Sequence, residues 1–318
     1  MPSSTQPQPP PKAKPTNLII VCCHAIYTGP SSAPSPPSSS PTSCPISTTT
    51  SILPPSHPSN WLLAPFQTDE IPTFTAHMQA GLSLLASDTP NSLLVFSGSK
   101  TRPEIEKSEA RGYLDYCERN AFWGILGREP ATTSDLDVIE DSSKSLLKEK
   151  ELQSNIILEE QALDSFSNLL FSILLFWKKT HTWPRKLTIV SHAFKRPRFM
   201  DLHIPTLRFP THCVTFVGID PEYMQPGHVS YDEERAGEVR RGERERGFSV
   251  WEVDLLGVGR ELRGKREGRN CWGVGQSWFD GGVKGEEERE RSRAVSWRVE
   301  DGDGEEVLGE ERQPWEED

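Results

Sequence analysis

Residues 92–102 read SLLVFSGSKTR, and this stretch decides the fold. Ser92–Phe96 is a short apolar run of the kind that forms a strand buried on both faces. Ser97 and Gly98 end it, and Glu104–Arg119 beyond has helical spacing, so the chain passes from strand to helix through a polar turn. The alternation recurs on both sides. Asn17–Cys23 (NLIIVCC), Asn155–Leu158 (NIIL), Leu187–Val190 (LTIV) and Cys213–Val217 (CVTFV) read as further strands. Ile71–Ala86, Glu160–Trp177 and Arg198–Arg208, the last behind Pro197, read as helices. Such alternation implies parallel βαβ units. The predicted fold is α/β, a doubly wound, mostly parallel, Rossmann-like sheet with disordered N- and C-terminal tails.

Composition marks off the flanks. Of 27 prolines, 15 lie in residues 1–60, which contain no Asp or Glu, and 15 of 23 glycines lie after residue 230, where 41 of 88 residues are charged. We therefore expect residues 1–16 to be disordered, 17–275 to form a single domain, and 276–318 to be an acidic disordered tail. Within the domain, 29–60 reads as a Pro/Ser-rich insertion, 124–150 as a variable loop and 250–272 as a C-terminal extension.

Several function classes are excluded by the same arithmetic. A net charge of −11 opposes nucleic-acid binding, which requires basic excess. The longest apolar runs, Leu18–Cys23 and Leu169–Trp177, are too short for a bilayer, and the first residues lack the apolar core of a signal peptide. The six cysteines include no CxxC pair and the eight histidines no HxH, HxxxH or HExxH, so no metal is expected. Reduced thiols and a cytoplasmic location are the simplest reading.

In an open parallel sheet, ligands bind beyond the carboxyl ends of the strands. Those ends carry His24, the loop Ser97–Arg102, Glu159-Glu160, Ser191-His192 and Asp220. The Ser97–Arg102 loop opens a helix, whose free N–H groups suit an anion, although an ordinary strand-to-helix turn also favours Ser and Gly. Glu109 shares a stripe with Ile105, Tyr113 and Cys117, where a carboxylate needs a partner or its pKa rises. Asp164 and Glu160 fall in the first turn of the third predicted helix, with Ser165, Asn168 and Ser172 on its small polar face. Lys195, Arg196 and Arg198 surround Pro197; they suit an anionic ligand, and a solvated basic turn would look the same. No GxxxxGK[ST] or GxSxG motif is present.

The segments NLIIVCCHAIYTG, WLLAPFQTDEIPTFTAHMQAGLSLL, SLLVFSGSKTR with SEARGY, EEQALDSFSNLLFSILLF, IVSHAFKRPRF and FVGIDP together resemble the DUF218 family in its fungal and plant branch, and WEVDLLGVGRELRGKREGRN resembles an extension of that branch. The resemblance covers about residues 17–27, 61–123, 155–222 and 250–272. It implies a Rossmann-like fold and leaves the chemistry undefined. Bacterial members associate with the cell envelope through membrane segments that have no counterpart here. Recurring polar positions of the family fall on His24, Ser97, Gly98, Glu109, Glu160, Asp164, Ser165, Asn168, Lys195, Arg198 and Asp220. Ser99 stands where a second Gly is usual, and Leu163 where an Arg is common.

The expected function is binding of a small anionic ligand, nucleotide- or phosphoester-like, at the strand ends by a hydrolase or transferase. Glu109 and Asp164 are the candidate catalytic bases. His24, Ser97, Gly98, Ser99, Thr101, Glu160, Ser165, Asn168, Lys195, Arg198 and Asp220 are the candidate ligand-binding residues. A non-catalytic sensor of a nucleotide or S-adenosylmethionine type, and a scaffold acting through its tails, are the alternatives. Neither a cofactor nor a protein partner is assigned.

Overall fold

The computed structural model describes residues 14–29, 53–127, 150–276, 278, 295–299 and 306–316. Its centre is a five-stranded parallel sheet of β1 (Asn17–Cys22), β4 (Ser92–Ser97), β5 (Ile156–Glu159), β6 (Lys186–Ser191) and β7 (Val214–Gly218). The order is β5-β4-β1-β6-β7, with the N-terminal strand in the middle. Leu18 is level with Leu93 on one side and Leu187 on the other. Two short strands, β2 (Ile26–Tyr27) and β3 (Trp61–Leu62), pair antiparallel beyond the end of β1.

Side-chain alternation along β1 explains the two layers of helices. Leu18, Ile20 and Cys22 share a core with α3 (Ser165–Thr180), whereas Ile19, Val21 and Cys23 share another with α1 (Ile71–Ser87) and α2 (Glu109–Arg119). From Leu18 to Cys22 the strand is apolar at every position because both faces are covered. Burying each such Leu or Ile contributes roughly 1.5–3 kcal/mol. The chain runs outward from β1 through β4 to β5, then crosses back to β6 and β7. Its direction reverses between β1 and β6, and a crevice opens there.

Two helices start later than their periodicity predicts. The helix expected from Glu104 begins at Glu109, because Pro103 interrupts the approach and the Ser108 hydroxyl accepts the Arg111 N–H at 2.9 Å. The helix expected from Glu160 begins at Ser165. The Glu159 carboxylate accepts the N–H groups of Gln161 (2.6 Å) and Ala162 (3.0 Å), holding the intervening residues in a loop, and Asp164 caps the helix that follows.

The charged C-terminal third is more ordered than its composition predicts. A π-helical turn (Arg198–His203) runs into α4 (Ile204–Leu207) and, after β7, the chain forms α5 (Glu233–Glu243), α6 (Ser249–Val253) and α7 (Arg260–Arg269). The expectation of a disordered tail from 276 is corrected over its described residues. There β8 (Trp297–Val299) pairs with β9 (Glu306–Leu308), and Trp278, Val295, Leu308 and Trp315 join the α3 core. The Trp315 indole N–H donates to the Leu207 carbonyl at 2.7 Å. Scattered tryptophans, not average charge, decide the matter. The expected disorder of 1–16 concerns mostly residues 1–13, outside the described residues, as do 30–52 of the insertion and 128–149 of the variable loop. Residues 53–60 of the insertion are described; the Asn60 side chain donates to the Pro54 carbonyl at 2.8 Å.

Candidate functional site

A cavity of about 460 Å³ lies over the carboxyl ends of β1, β4 and β5 and the turn after β6. Of the sequence-predicted residues, His24, Thr101, Glu109, Asp164, Ser165, Asn168, Lys195 and Arg198 line it. Arg102 and Arg269 line it too, so four cations face two carboxylates in a protein of net charge −11.

Lys195 ends the short turn Ala193–Lys195 after β6. Its closest polar contact is the His24 ring, Nζ to Nδ1 at 3.5 Å, and among the described residues no carboxylate reaches ion-pair distance of it. Burial, helped by the charge of Arg198, pulls the ammonium down to about 8. Arg198 is held at its Nε by Glu243, 3.0 Å away on α5, and among the described residues nothing bonds its terminal nitrogens. His24 is kept neutral, its pKa pushed well down by burial and then by Lys195 and His192. Behind it His192 packs at 4.5 Å between ring centroids, with His77 at 4.9 Å from His192. Burial lowers both of these as well, His77 to about 3. Among the described residues no three His, Cys, Asp or Glu side chains are placed to hold a metal ion.

The two predicted catalytic carboxylates have different surroundings. Glu109, the first residue of α2, accepts the Thr101 hydroxyl at 2.6 Å, and burial raises its pKa against that hydrogen bond. Asp164 is occupied. One oxygen accepts the Ser167 N–H (2.7 Å) and hydroxyl (2.8 Å); the other faces Arg266 of α7 at 3.2 Å. It is a helix cap and an ion-pair partner, with little left to take a substrate proton. The expectation that it sits inside the first helical turn is corrected accordingly.

Ser97, Gly98 and Ser99 stand behind the lining. The Gly98 N–H donates to the Glu159 carbonyl and the Ser99 N–H to the Ala162 carbonyl, each at 3.0 Å. The expectation that the helix opened by this loop offers free N–H groups to an anion is corrected: the Glu109 and Ala110 N–H groups donate to the Ser99 and Gly98 carbonyls and that of Arg111 to the Ser108 hydroxyl, and only Thr101 and Arg102 reach the cavity from the loop. Gly98 is required for packing. A Cβ there would lie 2.8 Å from Glu109 Oε2 and 3.1 Å from Cys23 Cβ. Glu160 is exposed and accepts the Ser108 hydroxyl at 2.6 Å, so it does not join the site. Asp220 lies outside this lining and accepts the Phe194 N–H at 3.1 Å.

Ser165 pairs with a residue that sequence reading missed. Its Oγ is 2.8 Å from Nε2 of His203, which sits wholly buried against Phe166, Phe199 and Trp251. Burial pushes that imidazole well below its usual pKa, and among the described residues its Nδ1 has no hydrogen-bond partner. A histidine so placed is a poor proton acceptor, so the pair lacks the orienting acid and basicity of a nucleophile–base dyad.

Sequence reading names Glu159 at the strand end but selects its neighbour Glu160 as the site residue. Glu159 is 3 % exposed at the end of β5, and its Oε2 lies 2.5 Å from the Ser97 hydroxyl, which is 3.0 Å from Asn168 Oδ1. Burial pushes the carboxyl up to about 7 against these hydrogen bonds. The network runs from a proton-holding carboxyl through Ser97 to Asn168 on the cavity wall. A one-residue shift of the strand end would have revealed it, since successive strand residues point to opposite faces.

Five cysteines are described and all are free. Among the described residues no helix is long and apolar enough to cross a membrane. No family model matches the chain, and no solved structure matches it. It is 31% identical over 219 residues to "Uncharacterized protein YOR238W" of Saccharomyces cerevisiae, an alignment covering 64% of this chain and 67% of the yeast protein. The chain belongs to the family of that yeast protein.

Proposed function

We propose that the cavity binds a small phosphate-bearing ligand, nucleotide- or phosphoester-like, with Lys195 and Arg198 as its principal anion contacts. The observation that carries this reading is the state of Lys195. A half-buried, desolvated ammonium that has no carboxylate at ion-pair distance among the described residues is costly, and an incoming dianion would supply what it lacks. The terminal nitrogens of Arg198 offer a second, planar donor pair. Arg102 and Arg269 add charge at the rim; Arg269 donates to the Leu163 carbonyl at 2.8 Å and so brings a cation to the stretch where the DUF218 pattern carries an arginine. Membership of the DUF218 family and a reducing, cytoplasmic setting belong to this proposal, the latter supported by the free thiols.

For hydrolysis or group transfer, Glu109 is the candidate general base, since among the described residues its carboxyl has no ion-pair partner and burial raises its pKa. A non-catalytic sensor is the second reading, favoured by the engagement of Asp164 with Ser167 and Arg266.

A thermal-shift panel of inorganic phosphate, ribose 5-phosphate and nucleoside monophosphates tests the binding. A ligand at one hundred times its Kd should stabilise the protein by roughly 2.7 kcal/mol. The stabilisation should vanish in Lys195→Met and weaken above about pH 8 as the ammonium titrates. No shift with any compound, or equal shifts in Lys195→Met, refutes the reading. Turnover lost in a folded Glu109→Gln selects the enzyme; ligand binding without turnover selects the sensor.

A further inference from the structure

A second cavity, of about 390 Å³, adjoins the first, and the two share Arg198 as a wall. The remainder of its lining differs in kind. Phe194 follows β6, Phe248 stands ahead of α6, and between them lie Pro197 and the methyl of Ala193. Arg244 lies over the Phe248 ring at 4.6 Å, and Arg240 adds a further guanidinium. Asp220 contributes a carboxylate at the floor, with Oδ1 fixed by the Phe194 N–H. The first cavity is rich in charge and suits a phosphate; the second offers aromatic faces, stacked guanidinium and one acceptor.

We propose that the second cavity receives the planar aromatic part of the ligand whose phosphate rests on Lys195 and Arg198, so that the ligand is a nucleotide and not a sugar phosphate. This rests on the anion-binding reading above. Three features support it. Arg198 is ion-paired with Glu243 at 3.0 Å through Nε and lines both cavities, and among the described residues its terminal nitrogens remain for phosphate. Phe194 and Phe248 provide π-faces on which any nucleobase can stack, and Arg244 adds a cation–π layer. The Asp220 carboxylate can accept only from a donor, which favours a base bearing an exocyclic amino group.

The test is calorimetric titration of the full chain with adenosine 5′-monophosphate and with ribose 5-phosphate. The nucleotide is expected to bind at least roughly tenfold more tightly, the ratio that one stacked base supplies. In Phe248→Ala that preference should fall to near unity while ribose 5-phosphate affinity is unchanged. Because Phe248 also packs against the core, Phe248→Leu serves as a second variant that keeps apolar bulk and removes the π-face. Equal affinities for the two compounds in the wild type, or a preference that survives both variants, overturn the aromatic subsite and leave the phosphate site standing. Failure of both compounds to bind overturns the phosphate site itself, and the subsite with it.

Discussion

Replacing Glu159 by Gln should make the protein's stability less sensitive to pH, and the size of the effect follows from the geometry. The carboxyl accepts two backbone N–H groups and meets the Ser97 hydroxyl at 2.5 Å, all without access to water. In its protonated form it can donate to Ser97, freeing the Ser97 hydroxyl for Asn168 Oδ1; ionised, it competes with Asn168 for a single proton. The folded state keeps that proton up to about pH 7, whereas the unfolded chain releases it near 4.5. Folding therefore takes up a proton between these values, and the contribution present below 4.5 is lost as pH rises through 7. The full difference is worth about 3 kcal/mol. A Gln at 159 reproduces the protonated pattern, its amide donating to Ser97 and its carbonyl accepting both N–H groups. Urea unfolding of both proteins, followed by tryptophan fluorescence at several values between pH 5 and pH 8, should show the variant gaining about 2.5 kcal/mol on the wild type across that range. Parallel pH profiles, or a gain in the opposite direction, refute the assignment of a proton to this carboxyl.

Three further outcomes can be checked by the same unfolding assay. Gly98→Ala places a methyl 2.8 Å from Glu109 Oε2 and should cost about 1–3 kcal/mol. Asp164→Ala removes the α3 cap and one of the contacts of Arg266, and should cost about 1–2 kcal/mol; Asp164→Asn keeps the cap and should recover about 1 kcal/mol of that. Trp315→Ala should cost about 3–5 kcal/mol if the C-terminal segment packs as described, and an effect under about 0.5 kcal/mol would restore the reading of an unstructured tail.

The strands were legible because a parallel sheet covered on both faces requires apolar residues at every position, and NLIIVC, SLLVFS and KLTIVS have few exceptions. Topology pointed to the strand ends and so to Lys195 and Arg198, and a charge out of place on an apolar stripe pointed to Glu109; the three line one cavity. The remainder was hidden for identifiable reasons. Glu159 and Glu160 are neighbours in sequence, and a one-residue error in the strand end exchanges the buried carboxylate for the exposed one. Helix α5 has so narrow an apolar stripe, with Ala236 its one large-enough buried anchor beside Gly242, that its periodicity is faint, and with it went Glu243, the partner of Arg198. His203 lay inside a predicted helix, where nothing local marks a ring that will face Ser165 across thirty-eight residues of sequence.

The position of β1 has a consequence for how the chain is made. Among the described residues, the strand made earliest is the middle strand of the sheet, and its partners at Ser92–Ser97 and Lys186–Ser191 come much later in the chain. Until they emerge, NLIIVC presents two open hydrogen-bonding edges and two apolar faces, the combination most prone to pairing with another nascent copy. Contacts of such long sequence separation also make folding slow. Pro15 just ahead of the strand and Pro54, Pro55 and Pro58 ahead of β3 then acquire a use: they interrupt the β-pairing that the apolar run would otherwise extend to its neighbours.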